Sequence, residues 1–131
     1  MMDDFETAAQ ALDTLSRIIH RRNIDAGWWK RDENGQIIER NIGELLCLIH
    51  SEISEAMEGA RKGLQDDKLP QYPMLLVELV DALIREFDLI GREMEKTGFS
   101  IAEIFLAKAA FNMTRADHKL EAREAPGGKK F

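Results

Sequence analysis

The eleven residues from Met74 to Ile84 hold nine apolar side chains and two acids, Glu78 and Asp81, three positions apart. The run is far short of the roughly 20 apolar residues that cross a bilayer, so it must pack inside a folded domain. Its apolar positions continue at helical spacing through Phe87, Ile90 and Met94, which predicts a helix rather than a strand. Pro73 suits the first turn and Gly98 the end. An isolated ionised carboxylate in an apolar setting is too costly to persist, so Glu78 and Asp81 must be paired, protonated or metal-bound.

The rest of the chain reads the same way. Phe5, Ala8, Leu12, Leu15 and Ile19 alternate steps of three and four, predicting a helix of roughly 4–22. Residues 28–38 break that pattern. Asn34-Gly35 lies between Trp28-Trp29 and Ile37-Ile38, as in a small hairpin or ordered loop. Asn41 followed by Glu44 marks a helix start, and Gly63 a stop. Ser100 with Glu103 opens another helix through Ile104, Phe105 and Phe111. The tail from about 117 to 131 carries Pro126-Gly127-Gly128-Lys129-Lys130 and reads as irregular. One domain, residues 1–131, and an all-α four-helix bundle follow. The second and third helices are apolar around much of their circumference, which predicts an oligomer.

Of 131 residues, 24 are acidic and 18 basic, for a formal charge of −6. That balance argues against a broad grip on nucleic acid or anionic lipid. DNA binding also lacks a basic recognition helix. The single cysteine, Cys47, excludes an internal disulfide framework and a cysteine-based zinc site. The acidic N-terminal residues do not read as a secretory leader. The expectation is a cytoplasmic chain with no membrane contact.

Four acids stand out. Glu52 and Glu55 share a face of the second helix, and Glu78 and Asp81 share a face of the third. Facing each other, they would repel unless a cation sat between them, and hard oxygen donors suit Mg²⁺, with Mn²⁺ as a substitute. The competing reading is an ordinary solvated face. Glu-x-x-Glu recurs at Glu55/Glu58 and Glu121/Glu124, so the pattern alone is weak; its position inside an apolar run is what distinguishes Glu78/Asp81. A di-iron bundle needs Glu-x-x-His on two helices. Arg17, Cys47 and Arg115 precede His20, His50 and His118 by three, so that motif is absent.

On the fourth helix Lys108, Asn112 and Arg115 fall on one face, with Lys119 as an extension. Ammonium, amide and guanidinium groups in a row suit a polyphosphate; a solvated face is the plain alternative. No P-loop is present.

The ordered combination Glu52-x-x-Glu55, Glu78-x-x-Asp81 and Lys108-x-x-x-Asn112-x-x-Arg115 resembles the MazG-like all-α nucleoside triphosphate pyrophosphohydrolases, relatives of the dimeric dUTPases and dCTP pyrophosphatases. The match covers nearly the whole chain. Gly27-Trp28-Trp29, Ser51 to Ala56, Asp67-Lys68-Leu69-Pro70, Val77 to Arg85, Arg115 to Lys119 and Gly127 to Phe131 resemble the short form often carried by bacteriophages. Ala116 departs from the family, which has proline there.

The resemblance implies hydrolysis of a (deoxy)nucleoside triphosphate to the monophosphate and pyrophosphate, in a bacterial or phage-infected cytoplasm. Glu52, Glu55, Glu78 and Asp81 would hold Mg²⁺, and Glu52 or Glu55 would orient or deprotonate the attacking water. Lys108, Asn112 and Arg115 would bind the phosphate chain. His20, Asn23, Trp28 and Trp29 would enclose the base, with one tryptophan expected in the core. Sites would form near the interface of a homodimer or homotetramer. The alternative is a non-catalytic helical module that oligomerises and binds a nucleotide or a protein partner.

Overall fold

The computed structural model describes residues 1–131, apart from the side chain of His118. Four long helices account for most of the chain: α1 (Asp4–Asp25), α2 (Ile42–Lys62), α3 (Met74–Thr97) and α4 (Ile101–Thr114). A 3-10 turn, Ala116–His118, and a short α5, Leu120–Glu124, follow. The tail is therefore not wholly irregular. Leu120 to Glu124 are good helix formers, and Pro126 and Gly127 lie just beyond them. Among the described residues no helix is long and apolar enough to cross a membrane.

The helix ends follow local chemistry. The Asp3 carboxylate accepts from the Glu6 N–H while the Glu6 side chain accepts from the Asp3 N–H, a full capping box. At α2 only half the expected box forms: Asn41 Oδ1 accepts from the Glu44 N–H at 2.9 Å. Pro73 caps α3 from just outside it. Gly63 and Gly98 end α2 and α3 in the left-handed conformation, at φ 61° and 79°, which a side chain would strain. The expected hairpin reduces to a single bridge, Arg31 with Ile37. Asp32 tightens its turn by accepting from the Asn34 and Gln36 N–H groups.

The central helix is α3. It packs on α2 along one side and on α1 along another, whereas α4 packs chiefly on α1. A single chain is thus a three-helix layer with α4 attached to its α1 side. The attachment is polar as well as apolar. Asp13, on α1, accepts from Ser100 Oγ at 2.7 Å and from the Ala102 N–H at 2.8 Å, capping α4 from another helix. The α1–α3 crossing is close: a Cβ on Gly91 would collide with the Ser16 carbonyl and lie 2.6 Å from His20 Cβ.

The interior is small. Its buried apolar residues are Ala9, Trp29, Leu45, Ala56, Ala82 and Ala102, mostly alanine. Large apolar side chains are instead exposed along α3 (Leu75, Leu76, Leu79, Val80, Leu83, Ile84) and on α2 at Leu46, Ile53 and Met57.

Candidate functional site

The α2–α3 hairpin carries the acids in register. Both helices present them at i and i+3, so each pair shares one face. Glu52, Glu55 and Glu78 each offer a carboxylate oxygen, and the three oxygens lie within 4.8 Å of one another. Glu52 is buried, Glu78 half-buried and Glu55 exposed. Asp81, one turn beyond Glu78, is not in that tight group; it lines a neighbouring cleft together with Glu52.

The electrostatics reflect this crowding. Burial, and then the charges of Glu55 and Glu52, push the Glu78 carboxyl up to about 7. Burial and the Glu52 charge likewise hold Asp81 above the usual carboxylate range, with Arg85 and Lys68 pulling the other way. Among the described residues one cation is paired with the cluster: Arg85 Nε donates to Glu52 Oε1 at 2.6 Å. Three convergent oxygen donors with a single guanidinium are short of positive charge, and that donor set fits a hard divalent cation.

The cleft, about 230 Å³, runs from Glu52 and Asp81 along the α2–α3 groove. Its apolar walls are Leu45, Leu48, Ile84 and Leu89, and Asn23, Trp28 and Arg40 close its far end. Asn23 and Trp28, two of the four residues expected to enclose a base, are among those lining this cleft; Trp28 is 65% exposed.

His20 and Trp29 are not. Both are buried, at 1% and 3% exposure, and they share Asp88. His20 Nδ1 lies 2.8 Å from Asp88 Oδ1, and Trp29 Nε1 donates to both Asp88 oxygens at 2.9 and 3.1 Å. The two rings meet edge to face at 5.1 Å, and Arg40 lies over the Trp29 ring at 5.5 Å. His20 Nε2 has no hydrogen-bond partner; Glu95 Oε2 is 3.5 Å away. Trp29 is the one tryptophan expected in the core, while the expected place of His20 in the base pocket is corrected: the carboxylate of Asp88 draws both polar rings into the α1–α3 interior behind the cleft.

The α4 row is also not at the acids within one chain. None of Lys108, Asn112 and Arg115 lines the cleft, because α4 rests on α1. Lys108 lies over the Phe111 ring at 5.1 Å. Among the described residues, Asn112 Oδ1 is buried without a partner. Arg115 donates to Asp117 at 3.0 and 2.6 Å, and Lys129 adds a third bond to the same acid.

Sequence inspection missed Arg85, Arg40 and Asp88. Arg85 and Asp88 were legible in principle, since they continue the Glu78/Asp81 face at helical steps. Arg40, in the segment before α2, carried no periodic signal.

The chain matches no known family model, no curated protein and no solved structure.

Proposed function

We propose that this chain hydrolyses a (deoxy)nucleoside triphosphate to the nucleoside monophosphate and pyrophosphate, as a MazG-like pyrophosphohydrolase. One observation carries the reading. Three carboxylate oxygens, of Glu52, Glu55 and Glu78, converge within 4.8 Å, and Glu52, with Asp81, lines one end of the neighbouring cleft whose other end offers an exposed tryptophan and an amide, Trp28 and Asn23. A charged phosphate chain and a flat base need those two ends.

Glu52, Glu55 and Glu78, with Asp81 beside them, would hold Mg²⁺ or Mn²⁺, which supplies charge neutralisation and Lewis acidity on the phosphates. Glu55 is the exposed member and orients the attacking water or takes its proton. Water adds across the anhydride between the first and second phosphates, and pyrophosphate leaves. Trp28 stacks on the base and Asn23 contacts its edge.

The phosphate role of Lys108, Asn112 and Arg115 depends on a second copy. The apolar faces of α2 and α3 are open, and each large side chain covered there contributes ~1.5–3 kcal/mol. We infer a homodimer or homotetramer in which the α4 row of one copy reaches the acids of another. Asn112 Oδ1, which has no partner among the described residues, gains one on phosphate-bound water or a neighbouring donor.

The decisive test offers the protein a panel of NTPs and dNTPs with Mg²⁺ and measures monophosphate and pyrophosphate. Turnover is expected, and it disappears with chelator and in Glu55→Ala and Asp81→Ala. If no nucleotide releases pyrophosphate, the chain is the non-catalytic helical module instead.

A further inference from the structure

Arg85 holds a position that the acids alone do not explain. It stands on α3 four residues after Asp81, about 6 Å further along the groove at 1.5 Å per residue. It lies between the acids and the Trp28 end of the cleft, which it also lines. Its Nε donates to Glu52 Oε1 at 2.6 Å. The Glu52 side chain is 9% exposed and the Arg85 side chain 40%. The carboxylate is thus fixed in the groove, while the guanidinium is half in solvent at the end of a long, flexible stem.

A divalent cation and a guanidinium cannot share a buried carboxylate without strong mutual repulsion. Loading the acids therefore pushes Arg85 off Glu52. The cleft ahead of it is where a nucleotide with its phosphates at the acids and its base at Trp28 places the phosphate nearest the nucleoside. A planar guanidinium fits phosphate oxygens in pairs.

Building on the pyrophosphohydrolase reading, we propose that Arg85 is a two-position residue. It neutralises Glu52 while the carboxylates are empty of metal, and it turns onto the substrate's nucleoside-proximal phosphate when a divalent cation takes them. Arg85 is thus a competitor of the metal in the free protein and a substrate ligand in the loaded one.

The test titrates Mn²⁺ into nucleotide-free protein, read by the loss of free-ion paramagnetic signal. Wild type, Arg85→Gln and Arg40→Gln are compared. Arg40 lines the same cleft but pairs with Glu44 rather than Glu52, so its variant controls for net charge. Arg85→Gln is expected to bind Mn²⁺ roughly fivefold more tightly, and Arg40→Gln less than about twofold. With nucleotide present, Arg85→Gln raises KM about tenfold, and Arg85→Lys recovers part of that loss. Equal Mn²⁺ binding in wild type and Arg85→Gln overturns the proposal, as does equal tightening in both glutamine variants. If wild type binds no Mn²⁺ at all, the carboxylate site itself fails, and this inference with it.

Discussion

Two carboxylates, Asp88 and Glu78, sit a few turns apart on the same helix, and they behave oppositely. Asp88 is surrounded by donors: Trp29 gives it two hydrogen bonds and His20 contributes a ring nitrogen. Glu78, ten residues earlier, is surrounded by other acids, and burial with those charges raises its carboxyl to about 7. Burial is common to both. What differs is whether the neighbours complete the group. A completed acid stabilises the fold and has nothing left to bind with; a crowded one weakens the fold until a cation arrives.

The largest effect expected from this contrast is at Asp88. Asp88→Ala leaves the Trp29 N–H and the His20 ring buried without an acceptor and lowers unfolding free energy by about 3 kcal/mol. Urea unfolding at neutral pH measures it, and a loss within error would mean that Asp88 is not the anchor of this interior. Next comes Trp29→Phe, which keeps an aromatic ring but removes the N–H donor and trims the buried indole to a single ring. It is expected to cost about 1–2 kcal/mol in the same measurement.

The smallest effect has the opposite sign. Glu78 titrates at about 7 in the fold against an ordinary 4.5. Between those values the folded chain keeps a proton that the unfolded chain has released, so stability falls as pH rises. Above about 7 both states have released it, and the destabilisation is complete. Glu78→Gln removes this dependence. After allowance for solvent screening of a half-buried group, we expect it to gain about 1 kcal/mol near pH 8 and little near pH 4. Chemical denaturation at the two pH values, without divalent cations, checks the difference. A loss of stability at high pH would place Glu78 with Asp88, as an acid already satisfied by the protein.

Much of the helical framework was legible in the sequence. Asn41, Gly63, Gly98 and Ser100 mark helix ends by local backbone chemistry, and local chemistry is what a sequence displays. The pairing of Glu52 and Glu55 with Glu78 follows from two consecutive antiparallel helices whose connection, residues 63–73, is tied across its base by the Gln65–Pro73 bridge and the Met74 N–H to the Leu64 carbonyl. The placement of α4 was not legible. It depends on Asp13 reaching from α1 to Ser100 and Ala102, across 87 and 89 positions, and no spacing rule announces a cap supplied from so far away. His20 and Trp29 misled for a related reason. An aromatic pair near a helix end suits a base pocket, and only the position of Asp88, 68 and 59 residues on, shows that their polar atoms face inward.

The cap that Asp13 places on α4 has a mechanical side. Both of its bonds grip the first turn of a helix of 14 residues, which is about 21 Å long at 1.5 Å per residue. With the Phe5–Phe105 contact also near that end, at 5.8 Å between ring centroids, the cap would serve as the pivot of a lever. A tilt of about 10° about that pivot displaces its far end by roughly 3–4 Å over such a length, while Ser100 barely moves. Arg115 follows directly on that far end, so such a tilt would carry its guanidinium, and the Asp117 it holds, along with it.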